Sequence, residues 1–363
     1  MTPADRELRQ RARHVLTHHR AVSPSAVLAE MAQSPYVQLE PDDYGDGGAI
    51  AVLEERVAKL LGKPRSLFFF KGVMAQLCVL RVLADERGSH CVALHPLSHI
   101  DFDEANAAEH MHNLRPVRLG HAAPFTAKQL GEVTEKLAAV VVELPLRRAG
   151  YLMPSWDELT AISAWCRAQG APLHLDGARL WEAAAGYGRP LDEVTALADS
   201  VYVSFYKGLG GIAGCAIAGE PDFIEKLKVW KTRHGGNVFT SYPLAVKALM
   251  GLDRYLPEFT RYVDRARSLA AKVAAIPGLT IYPERPDANA FNILMRGKPD
   301  EIAERHRAFS RETSIWLFNT LSEAPVPGHT IAEVVIGDAS ESYTNDQAIE
   351  WMASFTQHRK IDR

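Results

Sequence analysis

The chain has 363 residues, of which 47% are hydrophobic and 23% are charged, the composition of a soluble globular protein. This length favours a large domain plus a smaller one. The formal net charge of −3 gives no electrostatic reason to expect nucleic acid or an anionic membrane surface as a partner.

Predicted strands and helices alternate from about residue 50 to 235. Residues 49–61 carry apolar side chains at helical spacing and end at Gly62, and SLFFF (66–70) is typical of a buried strand that leads into a helix over 74–84. Further strands are predicted at 90–94, 137–144, 171–176 and 199–206, and an amphipathic helix at 157–170.

This alternation predicts an α/β fold, with a mostly parallel sheet covered by helices on both faces. Ligands bound by such sheets collect at the carboxyl ends of the strands. Gly72, His99, Asp176 and Lys207 each fall just after a predicted strand. We therefore expect them at one edge of the sheet.

The pattern changes after about residue 245, where a long helical stretch leads to short strands such as NAFNILMR and HTIAEVVIG. This pattern predicts a smaller α+β domain with an antiparallel sheet. We predict a helical N-terminal segment (1–45) that packs on the small domain, a large ligand-binding domain (46–245) and a small C-terminal domain (246–363).

The cysteines and the N-terminus bear on the cellular compartment. Four scattered cysteines form neither a disulfide framework nor a zinc spacing, so we predict a reduced, cytoplasmic setting and no metal site. The N-terminal stretch is charged and lacks the apolar core of a secretory signal. No apolar run approaches the length of about eighteen residues that a membrane span needs.

An amine and a carboxylate come from two successive strand ends. Lys207 lies in SFYKGLGG, behind a strand and before glycines, and Asp176 ends the apolar strand in HLDGARLWEA. Together they could hold pyridoxal phosphate (PLP), the lysine as a Schiff base with its aldehyde and the acid as the partner of its protonated ring nitrogen. The sequence therefore predicts a cofactor site.

Four runs extend this pattern in order over about residues 24 to 245: DDYGDGGAIAVLEERVAKLLGK, SHIDFDE, HLDGARLWEA and SFYKGLGGIAGCAIAG. With them the chain resembles the threonine aldolase and β-eliminating lyase family of PLP enzymes. The resemblance implies the aspartate aminotransferase-type fold, a fold type I PLP-dependent transferase-like α/β architecture, and it is faint beyond these runs.

The resemblance assigns roles to four residues. Lys207 matches the Schiff-base lysine, Asp176 the acid at the pyridine nitrogen, and His99 the histidine that stacks on the cofactor ring, with Glu104 as an acid five residues later. Each has a plainer alternative. Lys207 could be a solvated loop lysine, Asp176 a helix N-cap, His99 a surface or core histidine, and Glu104 a surface acid.

A phosphate site is expected after SLFFF, where the family usually has Ser-Gly-Thr at a helix start. Here the turn is Lys71, Gly72 and Val73, which keeps the backbone donors and loses the hydroxyl. Lys71 could supply charge instead or point into solvent. Ser204 is a second candidate phosphate donor, or a buried strand serine.

Arg179, in HLDGAR, matches an arginine that the family uses on the substrate carboxylate, a task that suits its bidentate fork. An ion pair with a nearby acid is the alternative. Other family features are missing. Phe239 falls where an arginine is usual, Ala332 or Glu333 occupies the place of a second arginine, and the N-terminal Ser-Asp-Thr run is absent.

These observations support three hypotheses. The first is a PLP-dependent lyase of threonine aldolase type, which cleaves a β-hydroxy-α-amino acid to glycine and an aldehyde. The second keeps the cofactor but performs β-elimination, decarboxylation, transamination or racemisation on an atypical amino acid or amine, as the missing arginines favour. The third is a non-catalytic PLP-binding homologue. The family also implies a homodimer or homotetramer.

Overall fold

The structure is a computed structural model that describes residues 1–358. Two compact units form. One comprises Ala29–Pro257, and the other comprises Met1–Leu28 together with the chain from Glu258 onward. The three-part division at residues 45 and 245 stays a prediction. The following strands and helices are those of the described residues.

The chain contains thirteen strands over residues 1–358. They are β1 (His14–Val15), β2 (Arg65–Phe69), β3 (Cys91–Leu94), β4 (Arg115–Arg118), β5 (Leu137–Glu143), β6 (Leu173–Gly177), β7 (Ser200–Ser204), β8 (Cys215–Gly219), β9 (Leu279–Tyr282), β10 (Ala290–Arg296), β11 (Ile315–Trp316), β12 (Leu321–Glu323) and β13 (His329–Val335).

Fifteen α-helices accompany these strands in the same range. They are α1 (Pro3–Arg11), α2 (Pro24–Ala32), α3 (Gly48–Leu60), α4 (Gly72–Arg87), α5 (His99–Phe102), α6 (Ala107–His112), α7 (Ala127–Gly131), α8 (Trp156–Gln169), α9 (Leu180–Tyr187), α10 (Leu191–Thr195), α11 (Pro221–Arg233), α12 (Tyr242–Tyr255), α13 (Phe259–Val273), α14 (Pro299–Thr313) and α15 (Asn345–Gln357).

A seven-stranded sheet forms the centre of the unit of residues 29–257, in the order β2-β8-β7-β6-β5-β3-β4. Only β8 is reversed, because it pairs antiparallel with both β2 and β7. The first six residues of β5 are buried in succession, as expected for a strand covered on both faces. The predicted α/β fold with a mostly parallel sheet is confirmed.

Helix α4 shows how the sequence positions these elements. It begins at Gly72, directly after the end of β2, and stops at Gly88, whose φ of 58° is a left-handed cap that suits glycine. Its residues Cys78 and Val79 pack in one cluster with Val141 of the sheet. The helix predicted over 74–84 therefore extends by about one turn or less at each end.

Two strands of the sheet, β4 and β8, were not predicted from the sequence. Strand β8 follows the lysine turn as a short run of small residues (CAIAG), and β4 (RPVR) is an exposed to half-buried edge strand with a proline. Neither shows a strong strand pattern. Since every strand but β8 runs the same way, the carboxyl ends of β2, β3, β5, β6 and β7 lie at one edge.

The other unit holds a four-stranded antiparallel sheet in the order β12-β13-β10-β9, as predicted for the C-terminal part. Strands β10 and β13 pair over their whole lengths, from Ala290 opposite Val335 to Arg296 opposite His329. Within this unit β1 pairs in parallel with β11. No helix in residues 1–358 has the length and apolar content that crossing a bilayer requires.

Candidate active site

One cavity opens at the carboxyl edge of the seven-stranded sheet. Its lining comes from the start of α4, from α5 and the turn after it, and from the ends of β6 and β7. The lining residues are Lys71, Gly72, Val73, Gln76, His99, Glu104, Asp176, Ala178, Tyr202, Tyr206 and Lys207. Seven of the nine site residues named from the sequence are thus brought together, and Ser204 and Arg179 are not part of the lining.

Lys207 follows β7 in a tight turn. Its carbonyl accepts a hydrogen bond from Gly210 N at 3.1 Å, and Gly211 N donates to Phe205 O at 2.8 Å. Burial, together with the positive charge of Arg179, lowers the pKa of the Lys207 amine to about 8. A sizeable fraction of the amine is therefore neutral near pH 7 to 8, the form that attacks an aldehyde.

Asp176 is the penultimate residue of β6 and is buried. Its Oδ1 accepts from Ala178 N at 3.2 Å, and Glu143 lies opposite it on β5. Burial raises the pKa of the Asp176 carboxyl, and the charges of Lys207 and His99 oppose that rise. A buried carboxylate is stabilised by a cationic partner, so this acid suits a protonated ring nitrogen.

His99 begins α5 and is tied to two acids. Its Nδ1 lies 2.9 Å from Glu104 Oε1, and its backbone N donates to Glu143 Oε2 at 2.7 Å. The bond to Glu104 raises the pKa of His99, and burial raises the pKa of Glu104. Because Nδ1 faces Glu104, Nε2 is the ring nitrogen left to exchange a proton with a ligand.

The first turn of α4 forms another part of the cavity. Its N-cap residue, Lys71, makes no side-chain capping bond, so the first backbone N–H groups remain available to an anion at the positive end of the helix dipole. A Cβ added at Gly72 would lie 2.3 Å from the Tyr202 hydroxyl. The close approach of Tyr202 therefore requires glycine at this position.

Ser204 and Arg179 lie near the cavity without lining it. Ser204 is fully buried at the end of β7, its carbonyl accepts from Trp181 Nε1 at 3.2 Å, and its side chain lies beside the Tyr206 hydroxyl. The Arg179 guanidinium lies 5.3 Å from the ring centre of Tyr151.

Four polar residues of the site were not predicted from the sequence: Gln76, Glu143, Tyr202 and Tyr206. Tyr206 directly precedes Lys207, and Glu143 is the last residue of β5, opposite Asp176 on the neighbouring strand β6, so the strand-end rule could have indicated both. Gln76 lies in an apolar helix, where no local pattern sets it apart. Only the packing of α4 on the sheet brings it to Asp176.

Phe239, which stands where the family usually has an arginine, is 65% exposed. Its ring packs edge-on against Tyr44 at 5.4 Å between ring centres, and Tyr44 N donates to Phe239 O at 2.8 Å. In the other unit, Ala332 is buried within β13 and Glu333 pairs with Asn292 in register. Neither position supplies a cation.

The cavity suits PLP on features of the chain itself. A partly neutral amine matches an aldehyde, and a buried carboxylate matches a pyridinium nitrogen. The uncapped start of α4 matches a phosphate group. Three complementary groups within one cavity are therefore consistent with a ligand that carries all three functions.

Comparison with known proteins shows which family this chain resembles in sequence and structure. The beta-eliminating lyase family model matches residues 23–296. Low-specificity L-threonine aldolase 1 of Arabidopsis thaliana is 27% identical over 299 residues, which cover 77% of this chain and 81% of the relative. Low specificity L-threonine aldolase of Escherichia coli K12 is 27% identical over 256 residues, covering 68% of this chain and 75% of the relative.

Among solved structures, a protein from Listeria monocytogenes assigned as an L-allo-threonine aldolase has a TM-score of 0.90 and 34% identity, covering 97% of this chain and 99% of that one. A protein from Exiguobacterium sp. 255-15, assigned as an aromatic amino acid beta-eliminating lyase/threonine aldolase, has a TM-score of 0.92 and 31% identity. It covers 98% of this chain and 100% of that one.

Proposed function

The chain belongs to the beta-eliminating lyase family, and we propose that it is a PLP-dependent lyase of threonine aldolase type. Its substrate is a β-hydroxy-α-amino acid, and its products are glycine and an aldehyde. The supporting observation is the shared cavity of Lys207, Asp176 and His99, which joins an amine of lowered pKa, a buried acid and a histidine.

The residues that would hold the cofactor are those of the cavity. Lys207 would bind the aldehyde carbon, Asp176 would pair with the ring nitrogen, and His99 would contact the ring. Gly72 and Val73 would offer backbone donors to the phosphate, with Lys71 as a further partner, whereas Ser204, the other predicted donor, is fully buried outside the lining. When bound, the cofactor supplies an electron-withdrawing ring that stabilises negative charge at the substrate Cα.

His99 is the base of the proposed cleavage. With its Nδ1–H donated to Glu104, the neutral imidazole carries a lone pair on Nε2, and this nitrogen removes the proton of the β-hydroxyl directly or through one water. The Cα–Cβ bond then breaks, the β-carbon leaves as an aldehyde and the electron pair stays at Cα. In its ammonium form, Lys207 would return a proton there, which completes glycine.

Arg179 is the cation that we assign to the substrate carboxylate. It lies close enough to lower the pKa of Lys207, and its guanidinium presents the bidentate fork that a carboxylate requires. Phe239, Ala332 and Glu333 do not replace the family's other arginines. Fewer cations of this chain are therefore available to bind the substrate carboxylate. This departure supports a second candidate, another PLP reaction on an amine or an atypical amino acid.

The test is an assay of the purified, PLP-loaded protein with L-threonine, L-allo-threonine and phenylserine. We expect equimolar glycine and aldehyde. A PLP-loaded protein that releases no aldehyde from any of them, yet changes the cofactor spectrum with simple amines, would instead establish the second candidate. Retained binding without any spectral change on a broad amine panel would point to a non-catalytic homologue.

We further propose that the protein is a homodimer or homotetramer in the cytoplasm. The four cysteines are all unpaired in the structure, with Cys78, Cys166 and Cys215 buried, which fits a reducing compartment. Sedimentation equilibrium of the PLP-loaded protein tests the assembly, and a monomer at micromolar concentration would exclude it.

A further inference from the structure

A buried chain of polar side chains lies behind the carboxyl edge of the sheet. His174 of β6 is fully buried, and Gln76 and Ser200 are nearly so. His174 Nε2 lies 2.8 Å from Gln76 Oε1, and His174 Nδ1 lies 2.8 Å from Ser200 Oγ. The three residues come from α4, β6 and β7, and only the tertiary fold connects them.

The direction of these hydrogen bonds follows from what each atom can do. An amide oxygen only accepts, so Nε2 of His174 must carry the proton, and Nδ1 must accept from the Ser200 hydroxyl. Burial lowers the pKa of His174 to about 3, which keeps the ring neutral. In this arrangement the Gln76 oxygen accepts from His174 Nε2–H, and the Gln76 NH₂ group points away from His174.

The other end of that amide faces the active site. Gln76 Nε2 is buried and has no partner of good geometry among the described residues, yet the Gln76 side chain lies close enough to oppose the rise of the Asp176 pKa. Turning the amide over would bring its oxygen against the carboxylate and its NH₂ against the His174 N–H. The contact between the amide oxygen and the carboxylate is repulsive, so the orientation with the NH₂ group toward Asp176 is favoured.

We propose that Gln76 is a positioning residue for Asp176, held by His174 and Ser200 so that its amide N–H groups stabilise the ionised carboxylate and aim it at the cofactor ring. The proposal rests on the proposed function for what Asp176 binds. It adds a source of stabilisation for the charged form of this buried acid. Charged and titratable groups that also face Asp176 are Lys207, His99, Glu143, Glu104, Tyr202 and Tyr206.

Gln76→Met and Gln76→Glu separate this role from simple packing. Methionine keeps the volume and removes the N–H donors, while a glutamate adds a second carboxyl beside Asp176. The readout is the dissociation constant of PLP, measured from the quenching of protein fluorescence between pH 5.5 and 9. We expect affinity to fall about tenfold in Q76M and more in Q76E, since one tenfold step matches the loss of one hydrogen bond to a charged group.

The pH dependence of PLP affinity should change only if Gln76 acts on the ionisation of Asp176. A residue that merely packs there would not change it. Without the amide donors the pKa of Asp176 rises, so the loss of PLP affinity on acidification begins at a higher pH in Q76M and at a still higher pH in Q76E. Ser200→Ala removes the hydroxyl that bonds His174 Nδ1 and should raise this onset pH less than Q76M does. Ser163→Ala is the matched control, because it removes a buried hydroxyl that bonds Leu197 O. This variant should leave the onset pH unchanged.

Asp176→Asn separates a failure of the Gln76 role from a failure of the assignment of Asp176 to the ring nitrogen. If D176N loses PLP while Q76M, Q76E and S200A keep the wild-type affinity and pH profile, Gln76 has no positioning role and the proposal is wrong. If D176N itself binds PLP like the wild type, then the assignment of Asp176 to the ring nitrogen fails, and the role of Gln76 fails with it. Should Q76M not fold, the S200A and Q76E profiles decide.

Discussion

Glu104 Oε1 holds His99 Nδ1 at 2.9 Å, and the other carboxylate oxygen of Glu104 is buried without a hydrogen-bond partner among the described residues. The carboxylate therefore accepts from one donor position on the imidazole, Nδ1–H. This geometry orients the ring and fixes its proton on Nδ1 when it is neutral. It also makes the basicity of His99 dependent on Glu104.

Replacing Glu104 with glutamine should change the pH profile of cleavage. Glu104 raises the pKa of His99, so this pKa falls in E104Q. Since the base must be neutral, the acidic limb of kcat against pH should move to lower pH. At pH 8 kcat should fall by roughly 10²-fold, because the imidazole is a weaker and less oriented base. Steady-state assays from pH 5.5 to 9 measure both effects.

Glu109→Gln is the control for E104Q, because Glu109 is a partly exposed acid that faces Arg118. We expect E109Q to keep the wild-type profile. An unchanged acidic limb in E104Q would show that Glu104 does not set the basicity of His99.

The glycine at the start of α4 should tolerate no side chain. In Gly72→Ala the new Cβ would lie 2.3 Å from the Tyr202 hydroxyl, so the free energy of unfolding should fall by about 1–3 kcal/mol and PLP should bind more weakly. Urea unfolding and PLP titration measure the two effects. Adding Tyr202→Phe removes the clashing oxygen and should recover part of both.

Gly131→Ala provides the comparison for G72A. Gly131 ends α7, and the nearest heavy atom to its added Cβ is Trp165 Nε1 at 4.0 Å. This variant should unfold within about 0.5 kcal/mol of the wild type. Equal stability of G72A and G131A would mean that the close approach of Tyr202 does not constrain position 72.

Lys207 should be the site of covalent PLP attachment. Borohydride reduction of the PLP-treated protein, followed by peptide mapping, should label the peptide that contains Lys207. In Lys207→Ala the label at this position and its absorption band should disappear, and kcat should fall by roughly 10³-fold or more.

Lys63→Met is the matched control, because Lys63 is also a partly buried lysine whose pKa is lowered by burial. Its Nζ donates to Ala198 O at 2.5 Å, outside the cavity. K63M should keep the label at Lys207. Labelling of Lys71 instead of Lys207 in the wild type would move the assignment to the start of α4.

Glu54 should make stability fall at alkaline pH. It accepts from Phe68 N at 2.7 Å, and burial raises the pKa of its carboxyl to about 7, above the ordinary value of 4.5. The folded protein therefore binds this proton more tightly than the unfolded chain. The associated stability is fully present below about pH 4.5 and is lost as the pH rises through about 7.

Glu54→Gln keeps an acceptor for Phe68 N and removes the charge. Relative to the wild type, E54Q should gain about 1–3 kcal/mol between pH 5 and pH 8, measured by urea unfolding at the two pH values. The exposed neighbour provides the control, and Glu55→Gln should show no such gain. A constant difference between E54Q and the wild type at both pH values would contradict a raised pKa of Glu54.

The sequence was sufficient for the features that depend on local patterns. Apolar strands alternating with helices predicted the α/β fold, and the rule that ligands gather at strand ends singled out Gly72, His99, Asp176 and Lys207. Gly72, His99 and Lys207 follow β2, β3 and β7, and Asp176 lies near the end of β6, so the strand directions place all four at one edge. Strand-end position is encoded locally, because each strand is one short apolar run followed by a turn.

Only the tertiary structure decided which buried polar groups support those residues. Gln76 reaches Asp176 because α4 packs on the sheet, and Glu143 lies beside Asp176 because β5 and β6 pair in that register. Each depends on contacts between residues far apart in the chain, which no local pattern contains. The sequence by itself determined the strand ends and their chemistry, whereas long-range packing decided how these groups are oriented and how strongly each holds its proton.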